Sequence, residues 1–266
     1  MATFFRNDLD VLRPELGEAV GTLFTERLGG VSSGPWGGVD GIMGLNVGVH
    51  VGDNAGCVRM NRQIVAQMTD GAPRWMTQVH GTTVVDAELV TDETIEADAA
   101  TAVTPGVVCV VQVADCLPIL LADEAGRGVA AVHAGWRSLA AGIVEKTVTR
   151  LKERLGDSQA KIQAWLGPRI GFEDFETNEA TAAAFKAHFG DVAGAVKPSG
   201  NEGRVLLSLA TYAKNALERS GVTVIEDCGL STVADPVHFY SYRRDGDKTG
   251  RHAAAIWIKP QDQKAQ

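Results

Sequence analysis

The sequence predicts a mixed α/β architecture in which strands and helices alternate irregularly along 266 residues. Three observations predict it. Short apolar, β-branched runs flanked by Gly or Pro recur, as expected of strands buried on both faces. Between them lie longer stretches whose apolar residues repeat at helical spacing. The two kinds of segment do not follow a strict strand-helix-strand order. The expected core is therefore a mixed sheet, or two sheets, with helices outside, instead of a purely parallel doubly wound fold. No repeat, low-complexity tract or linker divides the chain, so residues 1–266 read as a single domain.

Taken in order, residues 29–48 (GGVSSGPWGGVDGIMGLNVG) are dense in glycine and read as a long loop bordering a site. Residues 107–113 (VVCVVQV), 117–122 (LPILLA) and 128–133 (GVAAVH) read as three successive strands. A helix follows from about Trp136, with Leu139, Ile143, Val144, Thr147, Leu151 and Leu155 at helical spacing, ending in a basic turn and Gly156. Beyond it, KIQAWLG reads as a strand, residues near Asn178 to Ala187 and Ser208 to Ser220 as helices, and VTVIED and AAAIWI as strands.

Composition narrows the partners. A hydrophobic fraction of 45% is ample for a buried core, and a net charge of -8 argues against a nucleic acid held through its phosphates. A small molecule is the expected ligand. The amino terminus, MATFFRNDLDVLRPE, carries acids and Pro14 where a secretory leader needs an apolar run. No segment offers the ~20 apolar residues of a membrane span, so a cytoplasmic location is expected. Cys57, Cys109, Cys116 and Cys228 lack CxxC spacing and disulfide density, which fits a reducing compartment.

Three potential ligands for a borderline metal stand at the ends of predicted elements: His80 in QVHGT, Cys116 in ADCLP and His133 in AVHAGW. Ends of adjacent strands converge, so two imidazoles and a thiolate could meet within the roughly 2.0–2.3 Å that zinc requires. Such a set leaves a fourth tetrahedral position open, as in catalytic zinc sites. Taken singly, each histidine also reads as a turn residue, and Cys116 as a small buried hydrophobe.

The motifs QVHGT, ADCLPILL and AAVHAGWRSLAAG resemble the YfiH family, also called the laccase-domain or peptidoglycan-editing-factor family. GLNVGVHVGD (44–53), Asn61-Arg62, WLGPRIG (165–171) and FYSYRRDGDKTGRHAAAIW extend the resemblance over nearly the whole chain. It implies an α/β/β/α sandwich related to the catalytic domain of cytotoxic necrotising factors, with zinc on His80, Cys116 and His133. It further implies phosphorolysis of adenosine, inosine and methylthioadenosine, and deamination of adenosine. Oxidation of polyphenols and editing of peptidoglycan precursors are competing labels for the same family. Two departures stand out: extra residues around Gly38 to Met43, and Phe175-Glu176-Thr177-Asn178 where relatives carry FEVG.

Other residues acquire candidate roles from these motifs. Asp115 is either a proton carrier or a turn cap. Arg62, Arg243 and Arg251 are candidates for phosphate or ribose, because a guanidinium can grip phosphate with two parallel bonds. The amino terminus of the helix at Trp136 would favour an anion. Asn46 could touch ribose or base, and Gln78, on a short strand, could orient substrate or water. Trp136 and Phe239-Tyr240 are candidate stacking surfaces, and Cys228 a structural thiol. Copper is the alternative metal, with Met76 as axial ligand, but six histidines are too few for a multicopper centre. A metal-free alternative makes Cys116 a nucleophile and His133 its base. The chain is expected to act as a monomer or weak homodimer on purine nucleoside and phosphate.

Overall fold

A computed structural model describes residues 11–260. The first ten residues, which carry most of the leader reading, lie outside it. The described chain opens with β1 (Val11–Leu12), β2 (Val20–Thr25) and β3 (Leu28–Ser32). The glycine-dense stretch is thus not wholly a loop. Gly29 and Gly30 belong to β3, and Gly44 bridges back to both Leu28 and Ser32. Close backbone approach explains the composition: a Cβ on Gly44 would lie 1.8 Å from the Trp36 carbonyl oxygen.

Next comes a helix absent from the sequence reading, α1 (Ala55–Gln67), started by Asn54, whose side chain accepts from the N–H groups of Gly56 and Cys57. β4 (Pro73–Arg74), β5 (Val84–Asp86) and β6 (Ala99–Ala102) precede the three expected strands, β7 (Val108–Val113), β8 (Leu117–Asp123) and β9 (Val129–Ala134). The expected long helix is broken in two, α2 (Trp136–Ala140) and α3 (Ile143–Leu155). Gly142 makes the break by adopting φ 84°, a left-handed conformation no helix interior contains.

The remainder runs β10 (Ile162–Leu166), β11 (Glu176–Asn178), α4 (Glu179–Phe189), β12 (Val196–Pro198), β13 (Arg204–Leu207), α5 (Leu209–Arg219), β14 (Val224–Asp227), α6 (Tyr242–Asp245) and β15 (His252–Ile258). Asn178 and Ser208 cap α4 and α5 by accepting from Thr181 and Thr211.

The strands form a five-stranded sheet of order β1-β2-β15-β7-β4 and a six-stranded sheet of order β14-β10-β8-β9-β6-β5, with a small sheet β11-β13-β12 beside them. Both large sheets mix parallel and antiparallel pairs. Strict alternation along β8 shows how the layers stack. Leu117, Ile119 and Leu121 pack with Ile143, Val144, Val148 and Leu151 of α3, whereas Leu120 and Ala122 join Phe24, Val111 and Ile256 between the sheets. On the far side, Val108, Val110, Ala253 and Ala255 pack against Val65 of α1. The result is the α/β/β/α sandwich. Because β7 lies in one sheet and β8 in the other, residues 114–116 form the corner where the chain crosses between them.

Candidate functional site

Asp115 turns that corner with φ 83°, an uncommon value for a residue with a side chain. Its carboxylate fastens the turn. Oδ1 accepts from the Thr232 hydroxyl at 2.5 Å, Oδ2 from the Arg243 N–H at 2.6 Å, and its carbonyl oxygen from the Ile170 N–H at 2.9 Å. The corner therefore delivers Cys116 at the start of β8. On the neighbouring strand Pro118 pairs with His133 and Leu117 with Ala134, so Cys116 arrives opposite Gly135.

His80 completes the group from a turn after the Thr77–Glu96 bridge, with φ 58°. Its Nε2 is 3.8 Å from the Cys116 Sγ, and the His80 and His133 rings meet edge to face at 4.7 Å. The ligand atoms of His80, Cys116 and His133 all lie within 4.8 Å of one another. A tetrahedral zinc would hold N and S ligands about 3.5 Å apart, so small rotations close the set. Gly135 leaves the room: a Cβ there would sit 2.8 Å from the His80 ring and 3.2 Å from the Cys116 Sγ. His80 is exposed, Cys116 half-buried and His133 buried, so the group opens to one side.

Asp98, which the sequence reading passed over, organises two of the three. Fully buried, it accepts from the His133 Nδ1 at 2.8 Å through Oδ1, which leaves the other ring nitrogen for a metal. The same carboxylate accepts from the backbone N–H groups of Val79, His80 and Gly81, and so holds the strained His80 turn. A lone acid inside the run ADAATA was the available signal, since an unpaired Asp is seldom buried.

Electrostatics follow from these contacts. Burial pushes the Cys116 thiol up, but His133 and the hydrogen bonds from both histidines outweigh it and hold the thiol at about 6. Burial pulls His133 down, yet Cys116 and Asp98 raise it to about 9. Asp98, despite burial, is held below the usual carboxylate range by His133 and the backbone donors. A thiolate facing imidazoles, one oriented by a carboxylate, is the donor set a divalent zinc ion fits.

The group opens into a cavity of about 700 Å³. Asp115, Gln78, Arg243 and Arg251 line it, as does Trp136. Asn46 and Arg62 do not. The buried Asn46 side chain accepts from the N–H groups of Gly48 and Arg251 and donates to Asp53, so it fixes the base of Arg251. Arg62 forms a two-bond pair with Glu93 at 2.7 and 2.8 Å, donates to the Val47 carbonyl and stacks on Trp75.

Gln78 lies beyond any strand; its amide pairs with the backbone N–H and C=O of Gln112, replacing the ladder where β4 ends. Arg243 gives Nη1 to the carbonyls of Asp174 and Glu176, and Arg251 gives Nη1 to those of Thr249 and Gly250.

Phe239 and Tyr240 are core residues, 1% and 0% exposed, so they offer no stacking face. Cys228 packs against the inter-sheet core. Met76 is also packed there, although it reaches the cavity wall. The helix at Trp136 has only five residues, so it carries a weak dipole. His50, Glu93, Gln112 and Arg137, which the motifs did not single out, line the cavity as well.

Comparison with known proteins establishes the family. The family model described as multi-copper polyphenol oxidoreductase laccase matches residues 21–259. A purine nucleoside phosphorylase of Pseudomonas aeruginosa is 40% identical over 235 residues, 88% of this chain and 92% of that one. The purine nucleoside phosphorylase YfiH of Escherichia coli K12 is 37% identical, covering 91% of this chain and 95% of its own. The crystal structure of a Neisseria meningitidis protein, 38% identical, superposes with a TM-score of 0.86 over 94% of this chain and all of that one. A Bacillus licheniformis YfiH structure, 27% identical, gives 0.83 over 96% of this chain and 99% of that one. The chain therefore belongs to the laccase-like YfiH family.

Proposed function

We propose that the chain is a zinc-dependent purine nucleoside phosphorylase that cleaves adenosine, inosine and methylthioadenosine with phosphate to free base and ribose 1-phosphate. Adenosine deamination is the accompanying reaction, by analogy of the donor set with His/Cys zinc deaminases. The observation that carries the reading is the convergence of His80, Cys116 and His133, one coordination position short of a tetrahedron, in a cavity also lined by three arginines. Of the two acids lining that cavity, Glu93 is engaged by Arg62, and Asp115 by Thr232 and the Arg243 N–H. An anionic co-substrate is what such a lining selects.

Zinc, when bound by His80, Cys116 and His133, supplies Lewis acidity. The chain's own groups do the rest. Arg251 and Arg243 each use only Nη1 in hydrogen bonds among the described residues, so the Nε and Nη2 of each are left to hold phosphate. Arg137, stacked on Trp136, is a third cation for the same anion. Asp98 fixes the His133 ring and the His80 turn. Asp115 is in this reading a positioning residue and not a proton carrier, because both its oxygens already accept hydrogen bonds. Asn46 and Arg62 act behind the cavity wall, one through Arg251 and the other through Glu93. The reaction is assigned to the cytoplasm, with free nucleoside and phosphate as partners; no helix of the described chain is long and apolar enough to cross a membrane.

The oxidase description of the family fits less well. Only one cluster of three or more potential ligands is present among the described residues, whereas oxygen reduction by several coppers needs a second. A metal-free reading has more support. The Asp98–His133–Cys116 succession has the geometry of a base-activated thiol, and Cys116 is held at about 6.

Incubating metal-analysed protein with adenosine, with and without phosphate, tests these readings. Adenine and ribose 1-phosphate formed only with phosphate and bound zinc is the expected result. Inosine alone would leave deamination as the function, and full activity after chelation, abolished by thiol alkylation, would establish the cysteine mechanism instead.

A further inference from the structure

Gln112 carries a feature that neither metal binding nor phosphate binding uses. Along β7, alternate residues Val108 and Val110 are buried against α1, and Gln112 is the next on that face, where the layer ends at the cavity. Its backbone is fixed from both sides, by Ala253 of β15 and by the Gln78 amide. The side chain is 6% exposed, yet its Oε1 is buried with no hydrogen-bond partner, and its Nε2 makes no bond among the described residues. A buried amide without partners is unfavourable, so a cavity-lining one points to a ligand group that completes it.

The surroundings specify that group. The cations of the cavity come from Arg137, Arg243 and Arg251, whereas Met76 and, next along the chain from Gln112, Val113 and Ala114 give its lining an apolar part. An apolar wall with one donor-acceptor pair suits a heterocyclic base better than a phosphate or a ribose. We infer that Gln112 is the specificity-determining residue that reads the N1/C6 edge of the purine, an inference that rests on the nucleoside reading of the site.

Its amide offers one acceptor and one donor side by side. Against adenine, Oε1 accepts from the 6-amino group and Nε2 donates to N1. Rotated by a half-turn, the same amide donates to the 6-oxo group of hypoxanthine and accepts from its N1–H. No protein partner holds it in either orientation, so one residue serves both bases.

The test compares adenosine, inosine and purine riboside, the analogue with hydrogen at C6, in wild type and Gln112→Met, with zinc bound and phosphate saturating. The preference for adenosine over purine riboside, and for inosine over purine riboside, should each fall about tenfold in the variant, the loss of one hydrogen bond's discrimination. Turnover of purine riboside itself should change little. Equal loss for all three nucleosides would mark Gln112 as merely structural and overturn the inference. Gln112→Leu provides the same readout if Gln112→Met does not fold. Wild type that neither cleaves nor binds any nucleoside would overturn the nucleoside reading itself; cleavage with unchanged preferences in the variant would overturn only the role of Gln112.

Discussion

Two buried histidines, His133 at the cavity and His252 in the interior, show how differently one side chain behaves in the two regions. They are 3% and 0% exposed. Burial disfavours the imidazolium in both. At His252 burial prevails over its backbone contacts: the ring lies among Phe24, Phe239 and Tyr240, no carboxylate or thiolate faces it, and it is pushed down to about 3. At His133, Cys116 and Asp98 reverse the sign and raise it to about 9. The thiols divide in the same way. Cys116 is held at about 6, whereas burial raises Cys228 to about 11 and Cys109 higher still. Depth alone does not make a site; the partners placed at that depth do.

Asp98→Asn breaks this contrast most directly. It keeps the shape but removes the charge that orients His133, so zinc affinity should fall about 10- to 100-fold. Competition with a chromophoric chelator measures this. An unchanged affinity would reduce Asp98 to a brace for the His80 turn.

His252 sharpens the contrast from the other side. Its folded pKa of about 3 lies below the 6.5 of the free side chain. Between those values the unfolded chain takes up a proton that the folded one refuses, so stability is full above pH 6.5 and falls as pH drops towards 3. Denaturant unfolding at pH 7 and 4.5 should show about 2–3 kcal/mol lost to this group. In His252→Gln that part of the slope should vanish; the same slope in the variant would assign the loss elsewhere.

Gly135→Ala has a smaller expected effect. The added methyl must displace the His80 ring or the Cys116 sulfur, so activity should fall about tenfold while thermal stability shifts by only about 1 kcal/mol. Smallest is Arg62→Lys. It loses the two-bond grip on the cavity-lining Glu93 but keeps a positive charge beside it, so kcat should change no more than about threefold.

The sequence disclosed the fold class and the strands β7 to β10 and β15 because residues buried on both faces leave continuous apolar runs. It concealed α1, whose AGCVRMNRQIVAQ sets the polar Asn61 between Val58 and Val65 on its buried face, and β3, whose glycines serve close backbone contact. The metal group was legible because His80, Cys116 and His133 stand at element ends in motifs that resemble a family. The arginines divided according to contacts a sequence does not display. Arg62 finds Glu93, while Arg251 keeps Nε and Nη2 uncommitted. Asp98 and Gln112 escaped because a polar residue just before an apolar strand or within one shows its purpose only when the opposing groups are in place.

The central claim is that His80, Cys116 and His133 jointly hold one zinc ion on which phosphorolysis depends. Metal analysis of wild type beside His80→Ala, Cys116→Ser and His133→Ala, each assayed for phosphate-dependent adenine release, tests it most directly. One equivalent of zinc in wild type is predicted, with metal and activity falling together in every variant. Stoichiometric zinc retained in all three variants, or undiminished phosphorolysis by metal-free wild type, would contradict it.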